Sequence, residues 1–278
     1  MGADLNERII PSSGEGLPVI GLGTWQTFDV GSGDPARARL GSVLQVLAHA
    51  GKGVIDSSPM YGRSESVAGE LIAEMGLQDR FFIATKVWTE GRRAGIAQME
   101  ESMRRLQVDR VDLMQVHNLI DARTHLKTLR DWKQSGRVRY IGITHYSAAH
   151  HDALCSIARA NEVDFIQVNY SVAEREAERR VLPFARENGI AVITNRPFTE
   201  GRLLRQVAHR PVPDWAEKIG YTSWPQLLLA FIVAHPAVTS VIPATSAVEH
   251  LRENIAVATR PLPDEAQRER IAAAALTA

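Results

Sequence analysis

Asp56, Tyr61, Lys86 and His117 bring a carboxylate, a phenol, an ammonium and an imidazole, each at or just past the end of an apolar, β-branched run. Asp56 and Tyr61 share the segment Val54-Ile55-Asp56-Ser57-Ser58-Pro59-Met60-Tyr61-Gly62. Lys86 closes Phe81-Phe82-Ile83-Ala84-Thr85-Lys86, and His117 closes Val111-Asp112-Leu113-Met114-Gln115-Val116-His117. A phenol is a weak acid, with an unperturbed pKa of about 10. A neighbouring ammonium favours the phenolate and is expected to lower that value, while a carboxylate keeps the ammonium charged and oriented. An imidazole on the other side can donate to a substrate oxygen. Such a set predicts a proton donor, Tyr61, aimed at a carbonyl or alkoxide oxygen. That suits carbonyl reduction, in which oxygen gains a proton as carbon gains hydride. Singly, each residue has a plainer role: a loop cap, turn packing, a surface charge, a satisfied core histidine. Their recurrence at the ends of three successive runs sets them apart.

The elements that must position them alternate along the whole chain. Buried-strand patterns fall at 19–22, 53–56, 81–85, 111–116, 138–143, 165–168, 191–194 and 240–242. Helical patterns fall between them at 35–50, 64–75, 93–106, 122–135, 148–160, 177–188, 223–235 and 246–258. Alternation argues for a parallel sheet, and eight repeats argue for closure into a (β/α)8 TIM barrel, with a doubly wound open sheet as the competitor. In a barrel the C-terminal ends of the strands form the catalytic rim. The stretch 8–18 reads as an N-terminal β-hairpin plugging the barrel floor, and 264–276 as a short C-terminal helix outside the repeats. Ser246-Ala247-Val248-Glu249 reads as a capping box, and Gly51 and Gly136 as left-handed helix C-caps.

Composition narrows the class further. The 278 residues are 45% apolar and carry 32 basic and 32 acidic groups, a net charge of +0. They suit one domain spanning 1–278, with no nucleic-acid partner. No stretch is long and apolar enough for a membrane span, and the N-terminus has no signal-peptide core. The single cysteine, Cys155, lies in a helical pattern and reads as a buried structural thiol in a reducing, cytoplasmic setting. His150-His151 is adjacent rather than spaced to share a helix face, and no metal is expected.

The segment Asp56-Ser57-Ser58-Pro59-Met60-Tyr61-Gly62-Arg63-Ser64-Glu65 resembles the signature of the aldo/keto reductase family. The likeness continues through Ala84-Thr85-Lys86, Leu113-Met114-Gln115-Val116-His117, Gly142-Ile143-Thr144-His145 and Ile166-Gln167-Val168-Asn169-Tyr170. It ends with Val241-Ile242-Pro243-Ala244-Thr245-Ser246 and Glu253-Asn254. The sequence is similar to short bacterial-type members. The resemblance implies NAD(P)H-dependent interconversion of carbonyls and alcohols. Tyr61 would be the general acid, Lys86 and Asp56 its tuning groups, and His117 the residue that orients the carbonyl. It implies cofactor contacts from Gly23, Thr24, Trp25, Asp56, Thr144, His145, Gln167, Asn195, Arg196, Pro197 and Phe198. Further cofactor contacts would come from Ile242, Pro243, Ala244, Thr245, Ser246, His250, Glu253 and Asn254. Trp25, Trp88, His117 and Asn118 would face the substrate.

Five positions depart from the family pattern: Thr144 and His145 stand where a Ser and an Asn usually hold the carboxamide, and three others differ at the ring and at the adenosine end. Asn195 stands where an aromatic residue usually stacks on the nicotinamide. Ala244 and His250 stand where a Lys and an Arg usually hold the adenosine 2′-phosphate. NADPH is therefore the expected cofactor, with weakened discrimination against NADH. The segments 27–35 and 202–215 are candidate lids, and the absence of a long C-terminal loop points to an open pocket for a small-molecule carbonyl substrate. A monomer is the default. Two other classes remain at this stage: a metal-dependent barrel hydrolase, and a nicotinamide-binding regulatory or redox-sensing subunit with little turnover.

Overall fold

The computed structural model describes residues 5–277. Two strands, β1 (Glu7–Ile9) and β2 (Gly16–Pro18), form an antiparallel hairpin. Eight parallel strands follow: β3 (Leu22–Gly23), β4 (Gly53–Asp56), β5 (Phe81–Val87), β6 (Val111–His117), β7 (Val138–His145), β8 (Phe165–Asn169), β9 (Ala191–Asn195) and β10 (Ser240–Val241). They pair in chain order. The circle closes where Gly21 N–H donates to Val241 O (2.8 Å), Val241 N–H to Val19 O (2.9 Å) and Gly23 N–H to Pro243 O (3.1 Å). The (β/α)8 barrel and its N-terminal hairpin are as the periodicity predicts.

Helices pack outside: α1 (Ala36–Ala50), α2 (Ser64–Glu74), α3 (Arg92–Leu106), α4 (Ala122–Gln134), α5 (His151–Asn161) and α6 (Val181–Glu187) each follow one strand. After β9 come α7 (Arg202–Val207), α8 (Asp214–Lys218) and α9 (Trp224–Val233), and after β10 come α10 (Val248–Ile255) and α11 (Glu265–Leu276). The segment 202–215, expected as a loop, contains α7 and the start of α8. Leu203, Val207 and Ala216 are buried in the outer core, which is what orders it.

The capping box expected at Ser246 is not formed. The Thr245 hydroxyl accepts the Ala247 N–H (3.1 Å), this turn delays the helix, and α10 starts at Val248 with Ala247 as its uncapped first flank. A capping box stands instead at Asp264, whose carboxylate accepts the Gln267 N–H (2.8 Å) while Gln267 Oε1 accepts the Asp264 N–H (2.9 Å). Gly136 is left-handed (φ 77°) as expected, whereas Gly51 (φ 156°, ψ −151°) is not a left-handed helical cap.

Strand side chains alternate, so each strand sends one row into the barrel and one under the helices. The inward rows change character from floor to rim. Val54, Phe82, Leu113, Tyr140, Phe165 and Ala191 form an apolar lower interior, and Ile10 and Leu17 of the hairpin region join the same cluster. Higher up, the same rows continue as Asp56, Lys86, Gln115, His117 and Gln167. The hairpin is tied to the floor through Tyr140, whose hydroxyl donates to Glu15 Oε2 (2.7 Å). Outward residues such as Ile55, Ile83, Met114, Ile143 and Val168 form the larger core beneath the helices, where Cys155 is also buried.

Leu17 is fully buried in the lower interior. Leu17→Ala is expected to leave a cavity there and destabilise the fold by about 2–5 kcal/mol, measured by urea unfolding. A loss under about 1 kcal/mol would mean that the hairpin does not seal the barrel.

Candidate active site

The rim is where the backbone is strained. Of the non-glycine residues with positive φ, Gln26, Asn118, Leu119, Asp121, Arg196, Thr199 and Glu200 all lie in loops that leave the C-terminal ends of β3, β6 and β9. Such conformations persist only where surrounding contacts over-determine them, and they concentrate at functional sites.

Below those loops sits a buried ion pair. Lys86 and Asp56 are 1% and 2% exposed, and Lys86 Nζ donates to Asp56 Oδ2 at 2.6 Å and to Ser57 O at 2.7 Å. The other carboxylate oxygen, Oδ1, accepts from Gln167 Nε2 (3.0 Å) and Gln115 Nε2 (3.3 Å). Gln115 has room to reach it because its register partner is Gly142, where a Cβ would lie 3.1 Å from Gln115 Cγ. Burial alone would lower the Lys86 pKa, but the charges of Asp56 and Tyr61 and the bonds to them outweigh it, and the net shift is upward. Lys86 is therefore an ammonium at neutral pH.

Tyr61 sits over this pair, with Lys86 Nζ 5.2 Å from its ring centroid. The phenol corrects one expectation. Burial raises its pKa, Lys86 opposes and Asp56 reinforces, and the net shift is upward rather than downward. The phenol accordingly stays protonated at neutral pH. His117 meets Tyr61 edge-on, ring centroids 6.1 Å apart. Its Nδ1 lies 3.1 Å from Ser58 Oγ. Burial, aided by the charge of Lys86, lowers its pKa to about 3, so the imidazole is neutral.

A cavity of about 530 Å³ opens above these groups. Its wall includes Asp56, Tyr61 and His117, together with the predicted residues Gly23, Thr24, Trp25, Asn118, Thr144, Gln167, Asn195, Arg196, Pro197, Phe198, Ile242 and Ala244. Lys86 lies beneath the wall rather than in it. Other predicted residues lie outside the wall: His145, Trp88, Pro243, Thr245, Ser246, His250, Glu253 and Asn254. The His145 ring stacks on His150 (centroids 3.7 Å), and its Nδ1 accepts the Ser147 N–H (3.0 Å). Burial and the neighbouring His150 and His151 lower its pKa to about 4. Trp88 is half-exposed, its backbone clamped by Gln98 through bonds of 2.6 and 3.1 Å.

Sequence reasoning missed Gln26, Tyr146, Glu200 and Gly201 on the wall, whereas Thr27 and Leu204 reach it from the two candidate lid segments. It also missed Gln115 beneath it. Gln115 was detectable: it is an amide two residues before His117 on an otherwise apolar inward row. Gln26, Tyr146, Glu200 and Gly201 lie just past strand ends, in loops with no periodicity to read. Arg196 pairs with Glu200 (3.0 Å), and its guanidinium lies 5.9 Å from the Tyr146 ring. Asn195 Oδ1 and Arg196 Nε are buried without a hydrogen-bond partner. Unmet polar atoms beside an open cavity fit a polar ligand that completes them, and a nicotinamide dinucleotide offers such groups.

The protein is a parallel TIM barrel with a lysine–carboxylate pair, a phenol and a neutral imidazole gathered at one cavity on its C-terminal rim. The aldo/keto reductase family model matches residues 19–274, and the chain belongs to that family. Methylglyoxal reductase YeaE of Escherichia coli (strain K12) is 28% identical over 91% of this chain and 90% of its own length. The NADH-specific methylglyoxal reductase of the same organism is 26% identical, over 89% of this chain and 92% of its own. A crystal structure of an aldo/keto reductase from Klebsiella pneumoniae in complex with NADP and acetate superposes with a TM-score of 0.82. It is 27% identical and aligns over 96% of this chain and 94% of that one.

Two predictions follow from the electrostatics. Lys86→Met leaves Asp56 as an uncompensated buried charge and is expected to cost about 3–5 kcal/mol in urea unfolding at pH 7. Adding Asp56→Asn should recover most of that loss; no recovery would show that the two residues are not coupled. For His117, the ring refuses a proton that the unfolded chain binds between its ordinary 6.5 and about 3. Its contribution therefore makes the fold less stable as pH falls through that interval. The imidazole NMR signals of His117 should show a neutral ring at pH 5. A midpoint near 6.5 would mean that water reaches the ring.

Proposed function

We propose that this chain reduces an aldehyde or ketone to the alcohol at the expense of a nicotinamide cofactor, with Tyr61 donating the proton. The observation that carries the reading is the buried Lys86–Asp56 pair lying under Tyr61 in a cavity that His117 shares. The cofactor, when bound, supplies hydride to the carbonyl carbon. The protein's task is then the oxygen. Tyr61 is protonated at neutral pH, as a phenol ordinarily is and as its burial reinforces, and gives its proton as negative charge builds on that oxygen. The nearby Lys86 ammonium stabilises the phenolate left behind, and Asp56 keeps that ammonium in place. His117, neutral, donates a hydrogen bond that orients the carbonyl.

Thr144, Gln167 and Asn195 would hold the nicotinamide end, with Gly23, Thr24 and Trp25 beside it. Arg196, Pro197 and Phe198 would hold the middle of the cofactor. Ile242, Pro243, Ala244, Thr245, Ser246, His250, Glu253 and Asn254 would hold the adenosine end. Trp25, Trp88 and Asn118 would flank the substrate. His145 is the weakest member of the set, since its ring is engaged by His150 and Ser147. The names of the two Escherichia coli relatives make methylglyoxal, a small oxoaldehyde, the first substrate to assay.

NADPH is the preferred cofactor in this reading, and NADH is accepted. The NADP-bound Klebsiella structure supports the first half, and the NADH-specific relative, with Ala244 and His250 in this chain, supports the second.

Tyr61→Phe should lower kcat by about 10²–10⁴-fold while the cofactor Kd is unchanged. Turnover comparable to the parent would end the assignment of Tyr61. The ratio of kcat/KM for NADPH over NADH should stay below about a thousandfold, roughly 4 kcal/mol. His250→Arg should raise it, and a parent ratio above that bound would mean that other groups, Arg196 or Arg202, replace the missing charges.

A further inference from the structure

Ser58 is fully buried and lies one residue past the Ser57 that anchors Lys86. Its Oγ makes two contacts. It accepts the Met60 backbone N–H at 3.3 Å, and it lies 3.1 Å from His117 Nδ1. A serine hydroxyl has one proton to give. The Met60 amide takes one lone pair of Oγ, and among the described residues Nδ1 is the acceptor within hydrogen-bond reach of the hydroxyl proton. His117 is neutral, so a ring whose Nδ1 accepts must carry its single proton on Nε2. No described residue bonds Nε2, and the ring lines the cavity, so this N–H is left for a ligand.

We propose that Ser58 is a positioning residue that sets the tautomer of His117, making Nε2 the donor that faces the substrate carbonyl. The inference rests on the carbonyl-reductase reading, because only a substrate that accepts a hydrogen bond makes the Nε2–H tautomer matter. The alternative tautomer, protonated at Nδ1, would leave the Ser58 proton without an acceptor in a buried site and present a lone pair to the carbonyl oxygen. Both consequences are unfavourable, the first because a buried donor left unmet carries its full desolvation cost. Ser58 itself is held from behind. The Ser57 N–H donates to Ala84 O (2.9 Å) and the Ser57 hydroxyl accepts from Thr24 Oγ1 (2.9 Å), so the backbone that carries Ser58 is fixed to β5 and to the loop after β3.

The direct test is ¹⁵N NMR of the histidine rings at pH 7, with the His117 signals assigned by their loss in His117→Asn. The parent should show a protonated Nε2 and an unprotonated Nδ1 that accepts a hydrogen bond. In Ser58→Ala the two nitrogens should move towards the averaged pattern of a ring that exchanges tautomers. In that variant kcat/KM for methylglyoxal with NADPH should fall by about tenfold, the factor that one hydrogen bond of about 1.4 kcal/mol supplies. The NADPH Kd should not change, and Ser58→Thr, which keeps the hydroxyl, should restore both the spectrum and the rate. A parent ring protonated at Nδ1 overturns the proposal, as does a Ser58→Ala variant with the parent's spectrum. If Ser58→Ala does not fold, the parent spectrum and Ser58→Thr decide. If the parent turns over no carbonyl, the carbonyl-reductase reading fails, and the spectrum still reports whether Ser58 sets the tautomer.

Discussion

Lys86 carries an ammonium inside the barrel, 1% exposed, and nearly everything near it is arranged to make that tolerable. Removing such a charge from water is costly, and attraction to one partner offsets the cost only when geometry is good and the remaining lone pairs are met. Asp56 supplies the partner at 2.6 Å, Ser57 O takes a second ammonium proton, and Gln115 and Gln167 meet the far carboxylate oxygen. Those groups come from β4, β5, β6 and β8, four strands that are distant along the chain. The ion pair thus depends on barrel closure. It gives little evidence of net stability, since an apolar replacement of the same shape is often as stable. Its placement under a phenol in a cavity is better explained by chemistry.

The same constraint divides the site into a rigid and an adaptable part. The acid–base groups stand on strand ends or one short turn beyond them, where ladder hydrogen bonds hold the backbone. The proposed cofactor and substrate contacts are spread over strand ends, loops and a helix, and departures from the family pattern fall among them: Asn195 ends β9, Ala244 lies past β10 and His250 is in α10. The loop after β9 keeps its shape through left-handed residues Arg196, Thr199 and Glu200 and through the Arg196–Glu200 pair. Strain of this kind fits a surface shaped around a ligand.

Much of the fold was legible in local pattern. Buried strands followed by amphipathic helices fix the type and order of the elements, and a two-residue period places Asp56, Lys86 and His117 on inward rows. Legibility failed where competing local bonds decide. At Thr245 a side-chain turn pre-empts the Ser246 cap and delays α10. At 202–215 a polar, Arg-rich surface concealed Leu203, Val207 and Ala216, whose burial turns an apparent loop into helix. His145 sits next to Thr144 in sequence, yet stacking on His150 turns it from the cavity and leaves Tyr146 at the wall.

By itself, the sequence determined which chemical groups the protein owns and on which strand each one rides, because both are local: residue type, and the parity of a position along a strand. The family followed from the same local motifs. The direction of the pKa shifts was decided only by the tertiary structure. Lys86 beside a phenol predicts a lowered pKa, but burial is a property of the closed barrel, and it outweighs the ammonium so that the Tyr61 pKa moves up rather than down. The neutrality of His117 and the contact between its Nδ1 and Ser58 likewise exist only once β4 and β6 lie in one wall. Charge and hydrogen-bond partners across that wall depend on three-dimensional distance and on the exclusion of water, and neither is written at any single place in the chain.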